Sequence, residues 1–196
     1  MLPQISIFNP GYINSKGRAV MQTRPYQQTV SLTQVYKYIV GDYAKKETIA
    51  LRQEQNEDKQ KELKLLTLRY CTPFGTFSYR DNNHLIQPSG MMVVDIDHID
   101  DHQQLLALRQ ALIHDRRFET ELLFVSPRGS GLKWFINIGD MKGMQLRDFF
   151  RLVARHVQFE YGVQIDESGK DPSRACYLCH DLECYINPKY LTSSLS

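Results

Sequence analysis

Two aspartates stand two positions apart at the end of an apolar run in this sequence. Residues 91–96 read Met-Met-Val-Val-Asp-Ile, and Asp97 follows directly. Because side chains alternate across a β-strand, Asp95 and Asp97 are predicted to project on the same side of a strand end. Two such carboxylates repel each other unless they share a cation, and hard oxygen ligands suit Mg²⁺. The pair therefore predicts a divalent-metal site; a charged strand end with Asp100 or Asp101 capping the next helix is the structural alternative.

A glycine-rich loop with basic residues lies between two later apolar segments. Residues 126–133 read Ser-Pro-Arg-Gly-Ser-Gly-Leu-Lys. Its two glycines permit close backbone approach, and exposed N–H groups in such a loop can surround an anion. Arg128 and Lys133 add positive charge, and Ser126 adds a hydroxyl. The composition favours phosphate binding without the Walker A spacing, and an ordinary hairpin turn is the alternative.

Three cysteines and a histidine are concentrated near the end of the sequence. They are Cys176, Cys179, His180 and Cys184. The Cys-x2-Cys spacing is right for zinc, but one short run supplies all of these candidates and lacks a second distant pair. Zinc is therefore not expected, and the thiols are predicted to be free, as is usual in a reducing compartment.

Arginines recur every four residues at Arg147, Arg151 and Arg155. They fall on the face of a predicted helix that lies away from its apolar residues, and such a row is usually a solvated face. The alternative is a surface that follows a nucleic-acid backbone, in which case binding weakens steeply with salt.

Alternating strands and helices are predicted to position these side chains. Apolar runs predict strands at 5–8, 65–70, 75–79, 91–96, 122–125, 132–138 and 175–178. Helical periodicity predicts helices from Ser31 to about Val40, after Asp100 or Asp101, and over 144–161, with a polar helical stretch at 45–64 that is partly disordered over 53–61. This pattern predicts an α/β or α+β fold in which helices pack against a sheet. The predicted organisation is a partly helical N-terminal extension at 1–64 followed by a core at 65–196.

Composition narrows the class of protein. The chain has 196 residues, of which 42% are hydrophobic, and its formal net charge is +2. This apolar content is ample for a packed core, while the net charge is too small to indicate nucleic acid by itself, so any basic surface must be local. No run approaches the roughly 18 apolar residues of a membrane span, and the first residues lack a signal-peptide pattern. We therefore expect a cytoplasmic protein without a membrane partner.

Several motifs follow one another in a recognisable order. They are Gly-Thr-Phe-Ser at 75–78, Val-Val-Asp-Ile-Asp at 93–97, the 126–133 loop, Ile-Asp at 165–166, and Asp-Pro-Ser-Arg-Ala-Cys-Tyr-Leu at 171–178. This order resembles the VirE N-terminal domain family of bacterial mobile elements, a branch of the archaeo-eukaryotic primase–polymerase superfamily. The resemblance is strongest over residues 65–190. It implies an RRM-like catalytic sheet flanked by helices.

The resemblance also implies roles for individual residues. Catalytic and metal-binding roles fall to Asp95, Asp97 and Asp166, with Asp171 as the rival third ligand. Nucleotide-binding roles fall to Ser126, Arg128, Gly129, Gly131, Lys133 and Arg174. Many superfamily members carry a histidine at the position of Lys133. Lysine can still meet a phosphate as a point charge, so phosphate binding survives this departure better than a proton-transfer role.

The activity that the resemblance implies is nucleotidyl transfer with two divalent metals. The expected protein is a primase or polymerase that uses Mg²⁺ or Mn²⁺, nucleoside triphosphates and a single-stranded DNA or RNA template in mobile-element replication. A helicase-like protein acting in trans is a further expected partner. One alternative is a catalytically silent nucleic-acid-binding module of a replication protein, which Lys133 in place of histidine favours. The other is a metal-dependent nuclease that uses the same carboxylates.

Overall fold

The computed structural model describes residues 3–141 and 143–192 as a mixed α+β protein, in agreement with the class predicted from the sequence. The described helices are α1 (Leu32–Val40), α2 (Lys45–Gln53), α3 (Glu57–Thr67), α4 (His102–Ile113), α5 (Leu146–Tyr161) and α6 (Lys189–Thr192). The described strands are β1 (Gln4–Phe8), β2 (Tyr12–Ile13), β3 (Ala19–Val20), β4 (Gln27–Ser31), β5 (Tyr70–Thr72), β6 (Gly75–Phe77), β7 (Leu85–Pro88), β8 (Met91–Ile96), β9 (Thr120–Val125), β10 (Leu132–Asn137), β11 (Cys176–Tyr177) and β12 (Tyr185–Ile186).

An antiparallel sheet with the strand order β12-β9-β10-β8 carries the paired aspartates. All six residues of β8 are buried, which explains why its sequence is apolar on both faces until the strand reaches Asp95. Met92, Val94 and Ile96 pack in a core with α4 and α5. Met91 and Val93, which alternate with them, face a second core on the other side of the sheet.

A second antiparallel sheet has the order β11-β5-β1-β4. It joins strands from the first 31 residues to strands from residue 70 onward, so β1 lies between β4 and β5. Its buried side chains share the second core with Val93, Phe124 and Phe135 of the first sheet. Two short hairpins, β2-β3 and β6-β7, complete the described strand pairings.

Local sequence signals explain where the helices begin and end. Ser31 caps α1 through a capping box with Gln34, and Asp101 caps α4 by accepting a hydrogen bond from the backbone of Gln103. The apolar face of α5 is buried, and the helix ends at Gly162, whose φ of 69° lies in the left-handed region. These boundaries agree with the helical signals read from the sequence.

Two predictions about residues 45–70 are wrong. The segment 65–70 was predicted as a strand, but α3 continues to Thr67 and only Tyr70 enters a strand. The region 53–61, predicted to be partly disordered, contains the end of α2 and the start of α3, which Asn56 caps. In the part of the chain that the structure describes, none of the helices has the length and apolar character needed to cross a membrane.

Candidate carboxylate site and cationic cleft

Three carboxylates converge at the end of β8. Oxygen atoms of Asp95, Asp97 and Asp166 all lie within 4.8 Å of one another. Asp95 is buried, Asp97 is exposed and Asp166 is intermediate, so the group opens to solvent on one side. Within the described residues this is the single group of three or more acidic, histidine or cysteine side chains with the spacing to hold a metal ion. Hard oxygen ligands of this kind fit Mg²⁺ or Mn²⁺.

The chain returns to the strand end after α5 and brings Asp166 to the pair. Gly162 reverses the backbone, and the N–H of Asp166 donates a hydrogen bond to the carbonyl oxygen of Asp95 at 2.9 Å. Farther along, Gly169 lies against the ring of Phe150, where an added Cβ would be 2.6 Å from Cε2. Backbone contacts therefore hold the third carboxylate beside the strand.

Two cations bind directly to the carboxylates. Lys133 on β10 is the cross-strand neighbour of Asp95, and its Nζ donates to Asp95 Oδ1. The guanidinium of Arg174 donates to Asp166 Oδ2 at 2.6 Å and to Asp95 Oδ2 at 3.3 Å. Burial would lower the pKa of Lys133, but attraction to the Asp95 and Asp97 carboxylates outweighs burial and holds that pKa above its ordinary value. The two cations therefore neutralise part of the negative charge of the three carboxylates.

The predicted phosphate loop is a hairpin between β9 and β10 that lies against the acidic strand end. The N–H of Ser126 donates to the carbonyl oxygen of Gly131, and the carbonyl oxygen of Ser130 accepts from Ile99. A Cβ at Gly131 would collide with the carbonyl oxygen of Ile96 and approach Asp97 Oδ1 to 3.1 Å. Glycine is required there because the two backbones nearly touch.

Side chains of the loop lie at different depths. Ser126 is buried, Gly129 has a φ of 88°, and Arg128 is half-buried. The Nε of Arg128 is buried without a hydrogen-bond partner among the described residues, as are the Nε atoms of Arg80 and Arg109. Asp171, the rival third ligand, lines the neighbouring cleft, and its Oδ1 accepts hydrogen bonds from Ser173. The geometry thus brings Asp166 rather than Asp171 to the aspartate pair.

A cleft of about 250 Å³ opens beside Asp95 and is lined by four basic side chains. They are Lys64, Arg80, Lys133 and Arg174. Lys64 comes from α3, and its Nζ lies 5.2 Å from the centre of the Tyr177 ring. Burial, and then repulsion from Lys133 and Arg128, lowers the pKa of Lys64 below its ordinary value. Crowded cations beside carboxylates make this cleft suited to a polyanion that arrives with metal ions.

The cysteines of the cysteine-rich segment pack in the buried core. Cys176, Cys179 and Cys184 are buried free thiols, and Cys179 donates to the carbonyl oxygen of Val125 at 3.1 Å. A ring nitrogen of His180 lies 2.8 Å from the carbonyl oxygen of Gly41, on the loop that follows α1. These contacts tie the segment to the rest of the molecule.

The sequence model of the BT4734-like N-terminal domain matches residues 64–186. The chain belongs to this family. The matched region covers more than half of the chain and contains all three carboxylates, Lys133 and Arg174. No curated protein and no solved structure matches the chain.

Sequence reasoning missed three basic residues around the site. Lys64 and Arg80 line the cleft, and both lie inside the region matched by the BT4734-like family. Arg52 precedes that region; it donates to the carbonyl oxygens of Ser126 and Pro127 and so holds the loop from α2. Each stands in a polar or irregular stretch whose proximity to Asp95 depends on long-range folding, so a local motif could not reveal it.

Proposed function

We propose that this protein is a nucleotidyltransferase of the primase–polymerase type, related to the VirE N-terminal domain family, that acts in nucleic-acid synthesis during mobile-element replication. The observation that carries the proposal is the convergence of Asp95, Asp97 and Asp166 beside a cleft lined by basic residues. Carboxylates gather divalent cations, and basic side chains gather phosphates. A reaction that needs both together is nucleotidyl transfer from a nucleoside triphosphate.

The acidic and basic residues of the site have different roles, which follow from where they lie. The three aspartates would hold Mg²⁺ or Mn²⁺, which would supply charge neutralisation at the attacking and leaving oxygens of an in-line displacement. Lys133 and Arg174 contact the carboxylates and also line the cleft, so they can bind phosphate oxygens next to the metal site. Lys64 and Arg80 extend the positive charge farther into the cleft. The triphosphate would therefore lie in the cleft with its reacting end at Asp95.

A binding module without synthesis is the second candidate. It is favoured by the direct contact of the Lys133 ammonium with Asp95, because a cation attached to a ligand competes with a metal for the same oxygen. Such a module would bind nucleic acid in a replication complex, together with a helicase-like protein supplied in trans. Hydrolysis of nucleic acid by the same carboxylates is the remaining outcome that an experiment must separate.

The test is incubation of the purified chain with a labelled single-stranded template, with and without primer, in Mg²⁺ or Mn²⁺. Product that lengthens only when nucleoside triphosphates are added supports the proposal. Binding without product identifies the module, and shortening without nucleotides identifies a nuclease, so either result overturns the proposal.

Two variants test the site in this assay, and a third is their control. Asp97→Asn removes an exposed carboxylate and is expected to abolish synthesis while leaving the thermal unfolding temperature unchanged. Lys64→Ala is expected to raise the KM for the nucleotide about tenfold, since charge-assisted hydrogen bonds to phosphate contribute about 1.5–3 kcal/mol each. Lys46→Ala, an exposed lysine on α2, is the matched control and should leave KM unchanged.

A further inference from the structure

A row of three hollows leads away from the carboxylates along α5. It begins in a hollow between Asp97 and Asp166 that also includes Gln164 and Ile165. A second hollow shares Gln164 and Ile165 and adds Arg155 and Phe159. A third hollow shares Arg155 and Phe159 and extends to Arg151 and Arg117. We call this row of three hollows, in which neighbours share lining residues, the α5 groove.

The charge and the apolar content of the α5 groove point to one kind of ligand. Arg117, Arg151 and Arg155 line its far hollow and are exposed. The acidic residues there are Asp148 and Glu160, and Asp97 and Asp166 stand at the end next to the carboxylate site. Arg151 pairs with Asp148 at 3.1 Å, but both side chains are more than half exposed. Exposed pairs of this kind contribute little, so a phosphate can replace the carboxylate at small cost.

Phe159 is the most exposed large hydrophobic residue of the described chain, with 86% of its surface accessible. It stands one helical turn from Arg155 on the same face of α5, because residues four apart on a helix are neighbours. An exposed aromatic ring beside arginines is the arrangement that stacks an unpaired base and holds the adjoining phosphates. A double-stranded segment would keep its bases stacked on each other and leave the ring unused.

We propose that the α5 groove binds a single-stranded nucleic acid, with a base stacked on Phe159 and phosphates on Arg155 and Arg151. The strand would approach Asp97 and Asp166 through a hollow that shares no lining residue with the cationic cleft. This inference rests on the proposed function in one respect, namely that the strand end at the carboxylates is where it reacts. Strand and triphosphate then reach the carboxylates from two separate openings.

Fluorescence anisotropy with a labelled oligothymidylate tests the groove directly. The measurement is made in EDTA and without nucleotides, so that it depends on binding alone. Phe159→Ala is expected to weaken binding roughly tenfold, which is the size of one base–aromatic stack. Arg155→Ala is expected to reduce the slope of log affinity against log salt by about 0.7, the value for one phosphate contact on a single strand.

Matched controls come from α2 and the turn before it. Tyr43→Ala removes an aromatic side chain that is 74% exposed, and Lys46→Ala removes an exposed charge; both should bind the oligothymidylate as the wild type does. The proposal is overturned if the wild type does not bind, or if Phe159→Ala and Arg155→Ala bind with unchanged affinity and salt slope. It is also overturned if light scattering shows that Phe159→Ala dissolves a dimer without changing affinity, because a second copy would then cover the groove.

Failure of the groove and failure of the proposed function give different results. If the protein binds the oligothymidylate through Phe159 but makes no product, the groove proposal stands and the proposed polymerase activity is wrong. If Phe159→Ala synthesises product normally with an unchanged KM for the template, the proposed activity stands and the groove proposal is wrong.

Discussion

Lys133 and Asp95 face each other across two antiparallel strands and form a buried ion pair. Both side chains are buried, at 11% and 7% exposure, whereas the Asp97 side chain is 44% exposed. Removing one partner of a buried ion pair leaves an uncompensated charge and costs about 3–5 kcal/mol. We therefore expect Asp95→Ala to lower the free energy of unfolding by about 3 kcal/mol, and Asp97→Asn to change it by less than about 0.5 kcal/mol. Urea unfolding measures both.

A double variant separates the ion pair from simple loss of packing. Adding Lys133→Met to Asp95→Ala removes the buried ammonium and should recover most of the lost stability, since an apolar pair of similar volume is tolerated in place of an ion pair. Equal losses in Asp95→Ala and Asp97→Asn would show that Lys133 does not depend on its partner.

At this scale the sequence predicted the aspartates and the loop but not their full surroundings. Asp95 and Asp97 could be predicted because strand periodicity places them on one side of the strand, and the 126–133 loop could be predicted from its glycines. Asp166 was assigned through the family resemblance, and contact with Asp95 depends on the path of the chain after α5. Lys64 and Arg80 stand outside any motif, and their approach to Asp95 is decided by tertiary packing.

The hairpin between β9 and β10 positions the site as an element, and Gly131 sets how closely it approaches β8. A methyl group at this position would collide with the carbonyl oxygen of Ile96. Gly131→Ala is expected to cost about 2–3 kcal/mol, as overpacking against a fixed backbone does, and to displace Asp97. Thermal unfolding and the synthesis assay should both report the change.

Gly90→Ala is the matched control for that substitution. Gly90 has a φ of 80° and nothing within 4 Å of an added Cβ, so the expected cost is backbone strain alone, about 1 kcal/mol. A smaller loss in Gly131→Ala than in Gly90→Ala would mean that the hairpin moves freely.

Asp115 joins the end of α4 to α5 and makes stability depend on pH. Its Oδ2 accepts from Tyr161 at 2.5 Å and lies 2.6 Å from a ring nitrogen of His156. Burial would raise the pKa of Asp115, but these hydrogen bonds and those from two backbone N–H groups outweigh burial and hold the pKa below its ordinary value of 3.8. A carboxylate with a depressed pKa stabilises the fold above the unfolded pKa, and this contribution is lost as pH falls through the folded pKa.

Asp115→Asn should therefore be less stable than the wild type at neutral pH, and the difference should shrink below about pH 4. Urea unfolding at a series of pH values gives both curves. Asp81→Asn is a comparison on an exposed turn, where a small effect is expected. If the difference in the free energy of unfolding between the wild type and Asp115→Asn stays constant down to pH 3, the ionised carboxylate of Asp115 is not what stabilises the fold.

Helices and strands could be predicted from the sequence where the apolar residues followed a single periodicity. β8, β9, β10, α4 and α5 have uniform apolar runs or a single apolar face, and each was located from the sequence. The strand prediction for 65–70 failed because a short run with three leucines fits a buried helix end as well as a strand. There, α3 continues to Thr67, and the strand begins only at Tyr70.

The whole molecule depends on pairings between distant parts of the chain. The mixed α+β class followed from alternating elements, but the sheet β11-β5-β1-β4 pairs residues as far apart as Tyr70 and Tyr177 and has no local signal. How the chain divides into an extension at 1–64 and a core at 65–196 remains a prediction. The family match begins at residue 64, whereas the described fold places β1 between β4 and β5.

A truncated chain tests this division, because residues 1–64 contribute to the same core as the site strand. Among the described residues, eight of the 21 buried members of the core that both sheets share come from this segment, including Ile5, Val35 and Leu51. Without them β5 and β11 form an isolated pair, and isolated two-stranded ribbons are marginal in water. Residues 65–196 alone are therefore expected to lack a cooperative thermal transition and sharp near-ultraviolet circular dichroism.

As the control, replacing residues 14–18, the tip of the β2-β3 hairpin, with a short glycine-serine turn should preserve both signals. If residues 65–196 unfold cooperatively near the temperature of the full chain, the extension is dispensable and the two-sheet core is not the folding unit.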